Sequence, residues 1–313
     1  MGGALWICAC EGEIKFKNLF TLRDLLIEEI ENILSESSAF CDGYEYGSLK
    51  GKIACNLFFE PSTRTQYSFQ MAQERLGMRV ITFNTQNSSL QKNESFYDSV
   101  KTFDGLQSDL LVIRHSKEKY YQDLIGKIKT PIINGGDGSG DHPTQSLLDI
   151  LTIKQEFGSL DGMNISIVGD ISHSRVARTN FEVMSRFGAK VFTSGPKKYC
   201  KKNMNFISFD QAISKSDVII MLRVQHERHK EQLSMSPEEY NEKYGLNLKN
   251  VKLMKKNAII MHPGPVNRNV ELSSELVESS RSRISKQVKN GVFVRMAVIK
   301  YLFDSSERER RVL

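Results

Sequence analysis

The chain has 313 residues, of which 40% are hydrophobic and 26% are charged, as in soluble globular proteins. This length predicts two domains, because a single core seldom grows that large. The net charge of +6 is mild and dispersed, and no apolar stretch approaches the ~20 residues that span a bilayer. These properties argue against nucleic-acid and membrane partners. The five scattered cysteines lack the spacing of a zinc site, so we expect free thiols in a cytoplasmic protein that uses no metal or cofactor.

The first half of the chain alternates between helical and strand-like patterns. Helical periodicity begins at residues 22–34, where one face carries Leu25, Leu26, Ile30 and Leu34. Apolar runs typical of buried strands recur at Ile53–Phe59, Val80–Phe83, Leu110–Ile113 and Ile132–Ile133. The stretches between them have helical periodicity, at Arg64–Leu76, Glu94–Phe103 and Lys119–Ile125. This alternation predicts a parallel sheet covered by helices.

The same alternation starts again after a long connecting helix. A glycine-rich loop at residues 135–140 precedes that helix, which is predicted at His142–Phe157. A helix is predicted at Arg175–Phe187, and further strands at Asn164–Val168, Lys190–Thr193, Val218–Leu222 and Ala258–Met261. The sequence therefore predicts an α/β fold of two doubly wound parallel-sheet domains joined by a long helix. The last helix, Ile284–Phe303, is expected to pack back on the first domain.

The segment Pro61-Ser62-Thr63-Arg64-Thr65 carries the strongest chemical signal. It lies where a strand ends and a helix begins, so backbone N–H groups without an intrahelical partner face one space. The hydroxyl groups of Ser62, Thr63 and Thr65 add donors, and Arg64 adds a planar charged fork. An ordinary helix cap needs only one such hydroxyl. Three hydroxyl groups around one arginine therefore predict a phosphate site.

Other polar residues follow predicted strands, at the edge where open α/β sheets bind ligands. Arg114 ends one strand, His142 opens the connecting helix, and the second half contributes Arg175, Arg223 and Gln225. The sequence shows no paired carboxylates for acid–base catalysis, no nucleophile–histidine motif and neither a GxGxxG nor a P-loop pattern. A site so rich in cations is suited to aligning two small anions and stabilising charge on oxygen during group transfer.

Six segments, in this order, resemble the catalytic chains of bacterial aspartate carbamoyltransferases. They are Phe-Phe-Glu-Pro-Ser-Thr-Arg-Thr at 58–65, Ile-Arg-His at 113–115, His-Pro-Thr-Gln-Ser-Leu-Leu-Asp at 142–149, Gly-Asp-Ile-Ser-His-Ser-Arg-Val-Ala-Arg at 169–178, Arg-Val-Gln at 223–225 and His-Pro-Gly-Pro-Val-Asn-Arg at 262–268. The resemblance runs from about Leu19 to about Phe303, and residues 1–15 are interpreted as an extension. It implies transfer of the carbamoyl group of carbamoyl phosphate to L-aspartate, giving N-carbamoyl-L-aspartate and phosphate in pyrimidine synthesis.

The resemblance also implies a domain organisation and a role for each matching position. A carbamoyl-phosphate-binding domain is expected at residues 1–150, an aspartate-binding domain at 151–285 and the returning helix at 286–313. The phosphate would be held by Ser62, Thr63, Arg64, Thr65 and Arg114. The carbamoyl group would contact His142, Gln145 and the backbone carbonyl groups of Gly264 and Pro265, with His142 stabilising charge on the carbonyl oxygen. The aspartate carboxylates would be bound by Arg175, Arg223 and Gln225.

Residues 88–92 resemble the family's mobile loop, which reaches into the active site of a neighbouring subunit. Lys92 would contact both substrates, and Ser89 is favoured over Ser88 as the hydroxyl partner. The resemblance thus implies a homotrimer with shared active sites, and it leaves open whether a regulatory chain binds. By charge alone the segment is an ordinary exposed loop.

Four positions depart from the family pattern. Gln66 replaces a frequent arginine, and Asn93 replaces a glycine after the loop lysine, which we expect to stiffen or re-aim the loop. Asp141 places a carboxylate beside His142, where it would raise the basicity of the imidazole if it lies near. Gly264 stands where leucine or alanine is commoner, which predicts a more open pocket wall.

The sequence disfavours two alternative functions. An ornithine carbamoyltransferase shares the phosphate motif, but its usual His-Cys-Leu-Pro and Ser-Met-Gly segments are missing from this sequence. Two arginines in the second half, Arg175 and Arg223, favour a dicarboxylate acceptor over ornithine. A non-catalytic ligand-binding relative is disfavoured because Arg64, Lys92 and His142 are all retained.

Overall fold

The structure, a computed structural model, describes residues 18–45, 48–83, 93–200, 203–224 and 235–312, with side chains up to residue 304. The first half contains α1 Ile27–Cys41, β1 Ile53–Phe58, α2 Thr63–Arg75, β2 Arg79–Phe83, α3 Phe96–Gly105, β3 Leu110–His115, β4 Ile132–Asp137 and α4 Pro143–Phe157. The second half contains β5 Asn164–Val168, α5 Arg175–Arg186, β6 Lys190–Ser194, α6 Phe209–Lys215, β7 Val218–Met221, α7 Pro237–Tyr244, β8 Ile259–Met261, α8 Ser274–Val277 and α9 Ile284–Val312. Within these residues no helix is both long and apolar enough to cross a membrane.

Each half is built on one four-stranded parallel sheet. The strand orders are β2-β1-β3-β4 and β6-β5-β7-β8. In each sheet the second strand is added on one side of the first strand, and the chain then crosses over and adds two strands on the other side. This strand order confirms the predicted doubly wound α/β fold. The direction reverses between β1 and β3 and between β5 and β7. Open α/β sheets bind their ligands beyond the carboxyl ends of such strand pairs.

Aliphatic strands form the centre of each half. The residues of β7 are all buried, and β3 is buried from Leu110 to Arg114, as expected for parallel strands covered on both faces. The edge strand β2 differs, because none of its residues is buried and Ile81 is 46% exposed. One side of the first sheet is therefore left partly uncovered by the described residues of a single chain.

Two helices join the halves. α4 is buried from Pro143 to Ile153 and packs against α5 of the second half. α9 packs against α1, α2 and α4, so the expected return of the last helix to the first half is confirmed. The halves thus share a continuous apolar core beneath the edge where the central strands end.

Three local features differ from the sequence-based expectation. Residues 119–125 form only a short 3-10 helix, Tyr120–Asp123, which follows Lys119 in a left-handed conformation (φ 53°). The glycine-rich loop is shorter than predicted, because β4 continues to Asp137 with a register shift against β3. Leu26 is 67% exposed rather than on the apolar face, because the α-helical register begins only after it.

Candidate active site

A cavity of about 960 Å³ lies between the two halves, at the carboxyl ends of the central strands. It brings together eleven of the fourteen residues predicted for the site, which are Ser62, Thr63, Arg64, Thr65, Arg114, His142, Gln145, Arg175, Arg223, Gly264 and Pro265. The other three, Ser89, Lys92 and Gln225, lie outside the described residues. The eleven cavity residues lie at or after the ends of six strands: β1, β3, β5 and β7, which are the inner pairs at which each sheet changes direction, and the outer strands β4 and β8.

The start of α2 forms one end of the cavity. Ser62 is the N-cap residue, and its side chain makes no capping hydrogen bond within the described chain. Its carbonyl accepts the first helical hydrogen bond from Gln66 N at 3.0 Å, so the N–H groups of the preceding turn face outward without an intrahelical partner. Thr65 is buried at the same end. This geometry differs from that of an ordinary serine cap.

Glu60 links cations from the two halves and was not predicted as a site residue. Its Oε1 accepts a hydrogen bond from Arg114 Nη2 at 2.8 Å and another from Arg175 Nη2 at 2.7 Å. The two guanidinium groups also lie against β4, where a Cβ on Gly136 would come within 3.0 Å of both. Burial acts to raise the pKa of Glu60, but the two arginines outweigh it and lower that pKa. Glu60 is therefore an anion in the cavity.

His142 is the N-cap residue of α4 and lies inside the cavity. The residue is 5% exposed, and its Nδ1 has no hydrogen-bond partner among the described residues. Burial, followed by repulsion from Arg114, Arg175 and Arg295, lowers the pKa of His142 well below its usual value. The imidazole is therefore neutral near neutral pH and carries one N–H donor.

The neighbouring Asp141 does not make His142 more basic. Its carboxylate accepts hydrogen bonds from Arg23 Nη2 and, at 3.2 Å, from Thr179 Oγ1. It is not among the groups that shift the pKa of His142. The expectation of a raised basicity is wrong, because the Asp141 carboxylate is bonded to Arg23 and to Thr179 of α5.

Gln145 is held by a buried carboxylate one turn further along α4. Its Nε2 donates to Asp149 Oδ1 at 2.9 Å, and the same oxygen accepts from Gln287 Nε2 of α9 at 2.8 Å. Asn180 Nδ2 of α5 donates to the other oxygen at 2.7 Å. Burial raises the pKa of Asp149 to about 6, against the effect of the three amide donors. This network holds the amide nitrogen of Gln145, a residue that lines the cavity.

The turn after β8 packs directly on Arg64. Gly264 has a φ of +67°, and a Cβ there would lie 2.9 Å from Cζ and Nε of Arg64. Its N–H donates to His262 Nδ1 at 2.8 Å, while His262 Nε2 lies 3.2 Å from Glu271. The expected opening of the pocket wall at Gly264 is not seen, because the Arg64 guanidinium fills the space beside it.

The other departures from the family pattern change little in the described geometry. Asn93 has a φ of +63°, a conformation that glycine adopts freely and that asparagine tolerates better than most residues. Its backbone therefore needs no change from what a glycine would adopt. Gln66 is not among the residues that line the cavity.

The charge of the cavity limits the chemistry it supports. Among the described residues its lining includes five arginines, one of them Arg295 of α9, which was not predicted, but only two carboxylates, those of Glu60 and Glu118. The described residues contain no group of His, Cys, Asp and Glu side chains placed to hold a metal ion. Such a lining can bind anions at both ends and stabilise charge on a carbonyl oxygen between them.

Comparisons with known proteins agree with this geometry. One family model, aspartate/ornithine carbamoyltransferase, carbamoyl-P binding domain, matches residues 17–155, and a second, the Asp/Orn binding domain of the same family, matches residues 161–302. The structure of aspartate transcarbamoylase from Trypanosoma cruzi with carbamoyl aspartate and phosphate is 31% identical, with a TM-score of 0.81 over 91% of this chain and 95% of that chain.

Two further structures of the Trypanosoma cruzi enzyme are equally similar. The complex with carbamoyl phosphate is 30% identical, with a TM-score of 0.81 over 91% of this chain and 96% of that chain. The complex with N-(phosphonacetyl)-L-aspartic acid is 31% identical, with a TM-score of 0.81 over 91% and 95%. Both halves of the chain and nearly its whole length are matched, so the chain belongs to the aspartate/ornithine carbamoyltransferase family.

Proposed function

We propose that this chain is the catalytic chain of an aspartate carbamoyltransferase. It would transfer the carbamoyl group of carbamoyl phosphate to L-aspartate, releasing N-carbamoyl-L-aspartate and phosphate in an early step of pyrimidine synthesis. The observation that carries the proposal is a single cavity in which the start of α2, the neutral His142 and two arginines of the second half meet. The similar Trypanosoma cruzi structures that hold carbamoyl phosphate or carbamoyl aspartate support it.

The phosphate group of carbamoyl phosphate binds at the start of α2. The unpaired N–H groups of the first turn, the positive end of the helix and the nearby hydroxyl groups favour a dianion there. Arg64 contributes a fork of donors, and its guanidinium group lies beside Gly264. Arg114 reaches the same end from β3. As the leaving phosphate gains negative charge, these groups stabilise it.

His142 acts on the carbamoyl group as a neutral donor. The aspartate amine attacks the carbamoyl carbon and forms the new C–N bond, so negative charge builds up on the carbonyl oxygen. A donor aimed at that oxygen lowers the barrier, and a neutral imidazole can give this hydrogen bond without losing its proton. The C–O bond to phosphate then breaks with its electron pair, and the proton from the amine leaves with the phosphate. Gln145 and the carbonyl groups of Gly264 and Pro265 orient the carbamoyl NH2.

The acceptor end of the cavity is built from the second half. Arg175 and Arg223, together with Gln225 and the loop residue Lys92, bind the two carboxylates of aspartate. In the structure Arg175 Nη2 donates to Glu60 at 2.7 Å, while Arg175 Nη1 has no partner among the described residues and can donate to a substrate carboxylate.

A homotrimer with shared active sites explains the uncovered side of the first sheet. Tyr67 and Met71 of α2 are 58% and 46% exposed, close in sequence to the hydroxyl cluster, and Ile81 of β2 is 46% exposed. These residues lie on α2 and β2, which pack against each other, and exposed apolar surface is typical of protein–protein contacts. The loop that contains Ser89 and Lys92 follows directly after β2, so a subunit packed on this side would lie next to the loop.

A cytoplasmic location remains part of the proposal. Three described cysteines, Cys41, Cys55 and Cys200, are free thiols, and burial raises the pKa of each. Unreactive free thiols are typical of proteins in reducing compartments. Cell fractionation with an antibody against the chain would test the location.

An assay that offers aspartate and ornithine side by side tests the function and its nearest alternative. Purified protein with carbamoyl phosphate is expected to form carbamoyl aspartate, with or without a chelator, and little citrulline. Product from ornithine alone would support the ornithine enzyme, and no product from either would support a non-catalytic relative. The molar mass, measured by light scattering on the same sample, is expected to be that of a trimer; a monomer with full activity would contradict shared sites.

A further inference from the structure

Arg295 of α9 is a buried arginine that lines the cavity. The residue is 3% exposed. A Cβ on Gly291, one turn earlier on the same helix, would lie only 2.7 Å from Arg295 Nη1. The glycine therefore leaves a slot along α9 that the guanidinium group fills.

The contacts of Arg295 hold the guanidinium group in place without neutralising it. Nη1 donates to Ser68 Oγ at 3.0 Å and to the Gly291 carbonyl at 2.8 Å, and the group lies 4.8 Å from the centre of the Phe69 ring. None of these partners carries a negative charge. Nε has no hydrogen-bond partner, and no carboxylate acts on the group, in the part of the chain that the structure describes.

A buried cation without a counter-ion is costly, and an anion that binds nearby relieves that cost. Burial, followed by repulsion from Arg114, lowers the pKa of Arg295 to about 9. Arg114 is already bonded to Glu60, so Arg295 adds positive charge that the described carboxylates do not balance. The missing negative charge is what a bound phosphate would supply.

Ser68 places this charge close to the start of α2. It stands three residues after Thr65 on the same helix, which puts the two side chains on one face, and both line the cavity. We propose that Arg295 is a positioning residue of the anion site: a fixed buried cation behind residues 62–65 that strengthens phosphate binding there. This proposal rests on the phosphate-binding role proposed above for the start of α2.

Binding of inorganic phosphate to the full-length protein, measured by calorimetry at low ionic strength, tests the proposal without requiring turnover. Arg295→Met removes the charge and keeps the apolar stem, and it is expected to weaken phosphate binding about tenfold or more. Arg75→Met is the matched control. Arg75 also lies on a phenylalanine ring between α2 and α9, at 5.3 Å from the Phe293 centre, but it does not line the cavity. The control is expected to bind phosphate as the wild type does.

Titration of the His142 imidazole by NMR separates an electrostatic role from a purely structural one. After burial, the groups that lower the pKa of His142 are Arg114, Arg175 and Arg295. Arg295→Met should therefore raise that pKa, and Arg75→Met should leave it unchanged. Arg295→Lys keeps the charge and is expected to restore part of the phosphate affinity.

Several outcomes would overturn the proposal. Wild-type phosphate affinity in folded Arg295→Met would do so, as would equal losses in Arg295→Met and Arg75→Met. If Arg295→Met does not fold, Arg295→Gln replaces it, and the wild-type protein supplies a second measurement. The nitrogen resonance of Arg295 Nε is expected to move when phosphate is added, and no movement at saturation would count against the role. A wild-type protein that binds no phosphate would instead contradict the proposed function itself.

Discussion

The starts of α2 and α4, at the cavity, differ from the starts of α3 and α7 elsewhere in the chain. At α3 and α7 the hydroxyl groups of Ser95 and Ser236 each accept a hydrogen bond from a backbone N–H of the first turn, at 3.1 and 3.2 Å. At α2 and α4 the N-cap residues are Ser62 and His142, and neither side chain makes a capping bond within the described chain. A cap contributes about 1 kcal/mol to stability. Both α2 and α4 forgo this contribution, and α2 leaves its first-turn donors for a ligand, whereas α5, whose N-cap residue Ser174 also lines the cavity, keeps its cap.

Substitution of His142 should have the largest effect of any change that tests this difference. His142→Ala removes the donor to the carbonyl oxygen and is expected to lower kcat about 10²–10³-fold, with little change in KM for aspartate. His142→Gln keeps an N–H donor and should recover part of the loss. Steady-state kinetics with both variants checks the prediction, and a kcat for His142→Ala close to that of the wild type would mean that the start of α4 is uncapped for some other reason.

Arg223→Ala should weaken the binding of aspartate at the acceptor end of the cavity without weakening the binding of phosphate at the start of α2. Losing one charged hydrogen-bonding partner of a carboxylate is expected to raise KM for aspartate about 10–100-fold. The affinity for inorganic phosphate should not change, because phosphate binds at the other end. Arg178→Ala is the matched control, since Arg178 lies on α5 near Arg175 but does not line the cavity. Equal losses of aspartate and phosphate binding in Arg223→Ala would contradict the division into two ends.

A pair of serine substitutions tests the comparison most directly. Ser95→Ala removes a working cap and should lower the free energy of unfolding by about 1 kcal/mol without affecting phosphate binding. Ser62→Ala removes no cap, so its stability should remain near that of the wild type while phosphate affinity falls about tenfold. Denaturant unfolding and phosphate calorimetry on both variants give the four values needed. A destabilised Ser62→Ala with unchanged phosphate affinity would show that Ser62 is an ordinary cap after all.

The fold was predictable from the sequence where the pattern of apolar residues was clear. Short, β-branched apolar runs such as Val218–Leu222 that alternate with helical patterns are typical of buried parallel strands, so the two doubly wound sheets were predictable. The short helices α6 and α7 were missed, although Ser208 with Gln211 and Ser236 with Glu239 form capping boxes that are visible as sequence signals. The helix predicted at Lys119–Ile125 is longer than the 3-10 turn observed at 120–123, because periodicity alone does not show that Lys119 takes a left-handed conformation.

The candidate site was predictable where residues come directly after strands, and not where tertiary packing decides. Glu60 stands beside the hydroxyl cluster in sequence, but its partner Arg175 is 115 positions away. Arg295 falls within a helical pattern, and that pattern does not show that its side chain contacts Ser68 of another helix and lines the cavity. The effect of Asp141 on His142 was misjudged because the competing partner, Arg23, comes from the beginning of the chain.

Replacing Glu60 should give the smallest effect, and one that depends on pH. Glu60 precedes the uncapped start of α2 and joins Arg114 of one half to Arg175 of the other. Burial opposes its ionisation, but the two arginines bring the pKa of Glu60 below its ordinary value of 4.5. A carboxyl group whose pKa is depressed by folding stabilises the fold above its unfolded pKa, and the contribution is lost as pH falls through the folded pKa.

Glu60→Gln can still accept both hydrogen bonds but loses the charge, so its free energy of unfolding near neutral pH should be about 1 kcal/mol lower than that of the wild type. The difference should disappear as the pH is lowered well below 4.5. Glu278→Gln is the matched control, because Glu278 also meets an arginine, Arg268, at 2.8 Å, but its side chain is 78% exposed and its ion pair is screened by water. Denaturant unfolding between neutral and acidic pH checks both variants. A deficit in Glu60→Gln that stays constant over this range would mean that shape, rather than charge, joins the two halves at the start of α2.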